Sequence, residues 1–258
     1  MKLAVYSKDN LKGHPTKVSL TNDLNSLGHR VVEVDCLSKV DAFDCLLVFG
    51  GDGTMLHAST EVDCPIIGIN LGNVGFLTQF ESSVTAEQLV EAISNGRYEF
   101  RPLLETTCGG LKQFALNDFV VKTTSNRPIF FSVKVDGQFV DKYHADGVII
   151  STPTGSTAYS LSAGGPIVSP GVNAIIINPI CPHSLHSRPL IVSGDSKIDV
   201  FIEGGSGILV ADGNWQMEVE NSASITITKS AKQAKFVCGN DNFYKKLLEK
   251  MNKWGVAK

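Results

Sequence analysis

The sequence has no closely spaced cysteines, no block of basic residues and no long apolar run, and each absence removes a class of function. Cys36, Cys45, Cys64, Cys108, Cys181 and Cys238 are scattered without a C-x-x-C pair. That pattern fits neither a zinc site nor a dense secreted disulfide framework, and the thiols read as reduced. The 23 Lys and Arg are interspersed among 26 Asp and Glu, for a net charge of −3. A nucleic-acid or membrane-surface binder would concentrate its positive charge, so neither partner is expected. No apolar stretch approaches the length of a membrane span, and the opening MKLAVYSKDN turns polar before a signal core forms. These features imply a cytoplasmic protein with a small-molecule ligand.

What is present is a change of texture along 258 residues, a length that admits two modest domains. Short apolar strands at residues 3–6, 31–34, 45–49 and 65–70 alternate with helical patterns. One helix is entered at Pro15 and closed at Gly28; another runs through residues 55–60. Such alternation predicts a doubly wound parallel α/β domain whose ligands sit at the carboxyl ends of the strands. From about Tyr98, β-branched and aromatic runs separated by turn residues predict an all-β, sandwich-like domain. Residues 131–135 and 139–140 flank Asp136-Gly137, a hairpin signal, and runs at 198–202, 207–210, 215–219 and 224–228 continue the pattern. Phe243, Leu247, Leu248 and Met251 recur at helical spacing within 242–253 and predict a terminal helix packed back on the first domain. The expected division is 1–97 with 239–258, and 98–238.

The chemistry concentrates where the apolar strand at 45–49 meets Gly50-Gly51-Asp52-Gly53-Thr54 and a helix begins. Glycines let the backbone approach oxygens closely, and amide groups at a helix start favour negative charge, which is the form of a phosphate site. No G-K-[ST] follows, so it is not a Walker loop. The residues alone also allow a tight turn with Asp52 as a helix cap.

The Gly50 to Thr54 turn resembles the phosphate motif shared by NAD kinases, diacylglycerol-type lipid kinases and, more distantly, phosphofructokinases. A second segment narrows the choice: residues 146–166, DGVIISTPTGSTAYSLSAGGP, closely resemble the nucleotide-binding stretch of bacterial-type NAD kinases, which lipid kinases lack. Its Ser156 and Thr157 hydroxyls are of a kind that bonds adenine or phosphate, and the Tyr159 ring offers a flat face to a base. Residues 70–77, NLGNVGFL, resemble the family's N-x-G-x-x-G-F-L loop, Asn117-Asp118 stands where the family has Asn-Glu, and Asp212-Gly213 matches a family Asp-Gly. Residues 179–189, PICPHSLHSRP, resemble a further family segment, for which scaffolding is expected.

The resemblance implies transfer of the γ-phosphoryl of ATP to the adenosine 2′-hydroxyl of NAD, giving NADP. In that reading Asp52 is catalytic, orienting or deprotonating the hydroxyl, and Gly50, Gly51, Gly53 and Thr54 hold ATP phosphate. The NAD contacts it implies are Asn70, Gly75, Phe76, Asn117, Asp118, His144, Asp146, Ser156, Thr157, Ala158, Tyr159, Ser162 and Asp212. Mg²⁺ or another divalent metal accompanies ATP without fixed protein ligands, the active cleft lies between the domains, and the protein is a homotetramer or homodimer with Asp146 near a neighbouring subunit. Two residues depart from the family pattern. Asp118 is one methylene shorter than Glu, and His144 stands where many NAD kinases carry Arg, at a position linked to preference for NAD over NADH. The alternatives are a lipid or sugar kinase sharing the turn, and a dinucleotide-binding sensor without catalysis.

Overall fold

Short apolar strands buried on both faces form the centre of the N-terminal part. A computed structural model describes residues 1–40, 42–72, 75–239 and 243–255, without the side chains of 39 and 253–255. The chain divides into two units, Met1–Phe100 with Ala234–Lys258, and Arg101–Gln233. In the first unit, β1 (Lys2–Ser7), β2 (Arg30–Glu33), β3 (Cys45–Phe49) and β4 (Ile66–Asn70) are parallel in the order β2-β1-β3-β4. All five residues of β3 and of β4 are buried, as expected of strands covered on both faces. The short β5 (Phe80–Glu81) pairs with β4. Because β1 pairs with β2 on one side and β3 on the other, the strand order reverses there, and ligands of open α/β sheets bind at the carboxyl ends of such strands.

Helices α1 (Pro15–Ser26), α2 (Asp52–Glu61) and α3 (Ala86–Ser94) belong to the same unit. Proline opens α1, and Gly28, at φ 82°, donates its N–H to the carbonyl of Asn25 and ends it. The helix α3 has no counterpart among the elements expected from the sequence. Thr85 and Gln88 form a reciprocal capping box at its start, and Leu89 and Ile93 face the core.

The second unit holds β6 (Tyr98–Cys108) from residue 101, β7 (Leu111–Ala115), β8 (Asp118–Thr123), β9 (Ile129–Val135), β10 (Gln138–Ala145), β11 (Gly147–Ser151), the short α4 (Tyr159–Ser162), β12 (Ala174–Ile180), β13 (Leu190–Ser193), β14 (Ile198–Glu203), β15 (Gly207–Ala211), β16 (Trp215–Val219) and β17 (Ser224–Val237) up to residue 233. One sheet has the order β13-β12-β11-β8-β15-β16; the other contains β10-β9-β14-β17 with β6 and β7. Alternate residues of both sheets, among them Phe119, Val121, Phe131, Val148, Ile177, Val200 and Leu209, make a shared buried core. The turn Asp136-Gly137, with φ 51° and 81°, is of the kind that joins two strands in the handed twist of a hairpin.

The last four residues of β17 belong to the first unit, where Phe236 pairs in parallel with Ile66 of β4. Helix α5 (Phe243–Gly255) follows in that unit. Its inward positions are Phe243, Lys246 and Lys250, whereas Leu248 and Met251, expected to pack, are exposed. Residue 242 of the expected helix lies outside the described residues.

Candidate active site

A candidate phosphate turn in the first unit grows from the carboxyl end of β3. Gly50 bridges into the turn with φ 154°; a Cβ there would lie 2.7 Å from Oγ1 of Thr54. Thr54 is buried, with its side chain against Gly50. Gly51 and Gly53 lie exposed at the start of α2, where the first backbone N–H groups have no partner within the helix.

Asp52 does not cap α2. Its Oδ2 accepts the N–H of Phe76 and its Oδ1 the N–H of Leu77, each at 2.9 Å. Gly75 makes this approach possible, since a Cβ on it would sit 2.1 Å from Oδ1. Lys250 Nζ stands 3.6 Å from Oδ2. The loop before this pair is shaped by Asn70, whose buried side chain accepts the N–H of Gly72 at 3.0 Å through Oδ1. Asn70 thus acts on the loop backbone instead of reaching for NAD with that oxygen. Residues 73 and 74 of the NLGNVGFL segment lie outside the described residues.

The second unit has a cavity of about 350 Å³, lined by Asn117, Asp118, Lys122, Tyr159, Asp212 and Gln216 among others. Strand geometry explains it. Phe119 and Val121 of β8 point into the core, so Asp118, Val120 and Lys122 share the opposite face. Val120 lies beside Val210 of β15, which lies beside Gln216 of β16. The segment after β11 closes over this face because Gly155 touches the backbone: a Cβ there would be 2.2 Å from the carbonyl of Asn117. Tyr159 is 44% exposed, leaving its ring available to a planar ligand.

Two buried carboxyls meet here. Asp212, at φ 47°, turns its carboxylate inward to accept N–H groups from Leu116 (2.7 Å), Asn117 (2.8 Å) and Asp118 (3.0 Å). It holds the entry to β8 while also lining the cavity. Burial raises Asp212 to about 6 despite these three donors. Burial, then the nearby Asp212 charge, pushes Asp118 up to about 7.

Several other expected ligand residues face elsewhere. Ser156 is fully buried; its hydroxyl donates to Pro153 O at 2.6 Å and accepts from Val168 N–H at 3.0 Å, which makes it a brace inside the loop. Thr157 is half-buried, its hydroxyl 3.4 Å from the Thr154 carbonyl. Ser162 is exposed and does not line the cavity. His144 stacks on Phe130 at 4.7 Å and meets His183 edge-on at 4.9 Å, while Asp146 is exposed at the start of β11; neither lines this cavity. Conversely, Lys122 and Gln216 were not among the expected residues. Lys122 follows Asp118 by four positions in a strand, a spacing that puts it on the same face.

Exposed glycines at a helix start and, separately, a polar cavity with an exposed aromatic ring are features of proteins that bind phosphates and nucleotides, and the comparisons with known proteins give the class as an ATP-dependent phosphotransferase. A family model described as the ATP-NAD kinase N-terminal domain matches residues 5–98, and one described as the C-terminal domain matches residues 116–238. The chain is 41% identical over 230 residues to an NAD kinase of Methanothermobacter thermautotrophicus, covering 85% of this chain and 80% of that protein. It is also 41% identical over 229 residues to an NAD kinase of Moorella thermoacetica, covering 84% and 74%. Among solved structures it is similar to an NAD kinase from Archaeoglobus fulgidus in complex with ATP, with TM-score 0.85, 33% identity, and 98% and 99% of the two chains covered. A yeast NADH kinase complexed with NADH gives TM-score 0.86 at 26% identity, covering 100% and 89%. The chain belongs to the NAD kinase family.

Proposed function

We propose that the chain transfers the γ-phosphoryl group of ATP to the adenosine 2′-hydroxyl of NAD, with Asp52 orienting that hydroxyl. The observation that carries the reading is the fixed carboxylate of Asp52, held by two backbone N–H groups beside exposed glycine amides. A carboxylate has about four acceptor positions, so two bonds to the loop leave others for a substrate hydroxyl. An alcohol is a far weaker acid than a carboxylic acid, and phosphoryl transfer proceeds through a loose transition state. Asp52 therefore contributes mainly by positioning the nucleophile, its proton leaving late.

The amides of Gly51 and Gly53 would receive the donor phosphates. Among the described residues no group of three or more His, Cys, Asp or Glu could hold a metal. This donor set suits a divalent ion that arrives on phosphate oxygens, most simply Mg²⁺, and offsets their charge. In the second unit, Tyr159 and Ala158 would take adenine, and Asn117 and Asp118 the ribose side. With Asp118 at about 7, its carboxyl is able to donate or accept a hydrogen bond near neutral pH. The phosphate and dinucleotide functions are thus assigned to 1–97 with the terminal helix, and to 98–238. His144 and Asp146, away from their own chain's cavity, fit a dimer or tetramer in which they approach a second copy. No helix among the described residues is long and apolar enough to cross a membrane, and a cytoplasmic location is proposed.

The test is transfer of label from γ-labelled ATP, with Mg²⁺, to NAD, NADH, a diacylglycerol or a sugar. Label in the dinucleotide is expected; label only in lipid or sugar would refute the reading. Asp118→Ala should raise the KM for NAD about 3- to 10-fold with kcat little changed, the loss of one ordinary hydrogen bond.

A further inference from the structure

We propose that Lys250 of α5 is a positioning residue for Asp52, so that the C-terminal helix is a working part of the phosphate-transfer site. The inference rests on the proposed role of Asp52. Three positions on one face of α5 grip the segment that holds this aspartate. The Phe243 ring lies 6.3 Å from that of Phe76; Lys246, buried, donates through Nζ to the carbonyl of Thr78; and Lys250 Nζ sits 3.6 Å from Asp52 Oδ2 and 4.0 Å from the Phe76 ring centroid. Residues 243, 246 and 250 are spaced by three and four, the spacing of one helical stripe.

An isolated surface ion pair contributes little, because solvent screens it and two side chains must be ordered. This pair differs in both respects. The Lys250 and Asp52 side chains are only 20% and 32% exposed, and the lysine ammonium lies over the Phe76 ring, whose face attracts it. Oδ2 already accepts the Phe76 N–H, so Lys250 draws the same oxygen toward the loop, away from rotation about the carboxyl carbon. Oδ1 keeps its outer acceptor position for the 2′-hydroxyl. The lysine is too far for a hydrogen bond, and its hold is one of charge, which arginine would share.

The experiment compares wild type, Lys250→Met, Lys250→Gln and Lys250→Arg for NADP formation from NAD and Mg²⁺-ATP, with melting temperatures recorded for each. Met and Gln keep the packed stem and remove the charge, so either one that melts like wild type serves. The expected result is a fall in kcat of about 10- to 100-fold, the scale of a small misplacement of a reacting group. KM for NAD and for ATP should stay within about 2-fold, and Lys250→Arg should restore most of kcat. In the Asp52→Asn background, followed by transfer of labelled phosphate, removing Lys250 should have no added effect. Wild-type kcat in both neutral variants, a loss carried by KM for ATP, or equal losses in both backgrounds would overturn the inference. Wild-type protein that makes no NADP would instead overturn the reading of function on which it rests.

Discussion

Asp52 is held by what its neighbours lack as much as by what they supply. Its two loop bonds need Gly75, where any side chain would meet Oδ1. Gly75→Ala should therefore reduce kcat about 100-fold, while a circular dichroism melt stays near wild type, since only a carboxylate and a loop must shift. Asp118 makes a different prediction. Its carboxyl ordinarily titrates near 3.8 and is raised to about 7 in the fold. The folded state then binds the proton more tightly than the unfolded chain, so this group's contribution is complete below pH 3.8 and is lost as pH rises through 7. Urea unfolding from pH 4 to 8 should show Asp118→Asn gaining on wild type as pH rises; a constant difference would contradict the assignment. The glycines and Asp52 were legible in the sequence because glycines crowded between an apolar strand and a helix start mark a close approach of the backbone. Ser156 and Asp212 were not, since a hydroxyl or carboxylate in a motif looks the same whether it binds a ligand or its own backbone.

Elements explain which groups converge. The cavity is one face of β8 and its neighbours, with Asp118, Val120 and Lys122 outward and Phe119 and Val121 inward. The sequence marked Asn117-Asp118 only by resemblance, yet period two along this strand would also have pointed to Lys122. The missed helix α3 carried a readable signal in Thr85 and Gln88, a capping pair followed by Leu89 and Ile93 at helical spacing. Thr85→Ala should cost about 1 kcal/mol in denaturant unfolding, the usual loss of a helix cap, and leave kcat unchanged. Of the residues that the spacing marked for the packed face of α5, Phe243 meets Phe76 whereas Leu248 and Met251 are exposed, and Lys246 and Lys250 share the face of Phe243, which hydrophobic spacing does not show.

At the scale of the whole molecule, the β-α alternation and the later run of short strands were plain in the sequence, because buried parallel strands and hairpin turns leave strong periodic marks. The reversal of strand order beside β1 places the Gly50 turn where open α/β sheets bind ligands, and the second unit holds the cavity proposed for the dinucleotide. The strands around Asp118 were less visible, since β8 and β11 are buried on both faces and lose their alternation. We propose that the chain makes NADP with Asp52 at the reacting hydroxyl. The most direct measurement is NADP formed from ATP, Mg²⁺ and NAD by wild type and by Asp52→Asn, with NAD binding measured on both by calorimetry. NADP is expected from wild type, with a loss of at least about 100-fold in the variant and NAD affinity within about 3-fold. Equal turnover in the two proteins would remove Asp52 from the chemistry, and tight NAD binding without turnover in wild type would make the protein a sensor.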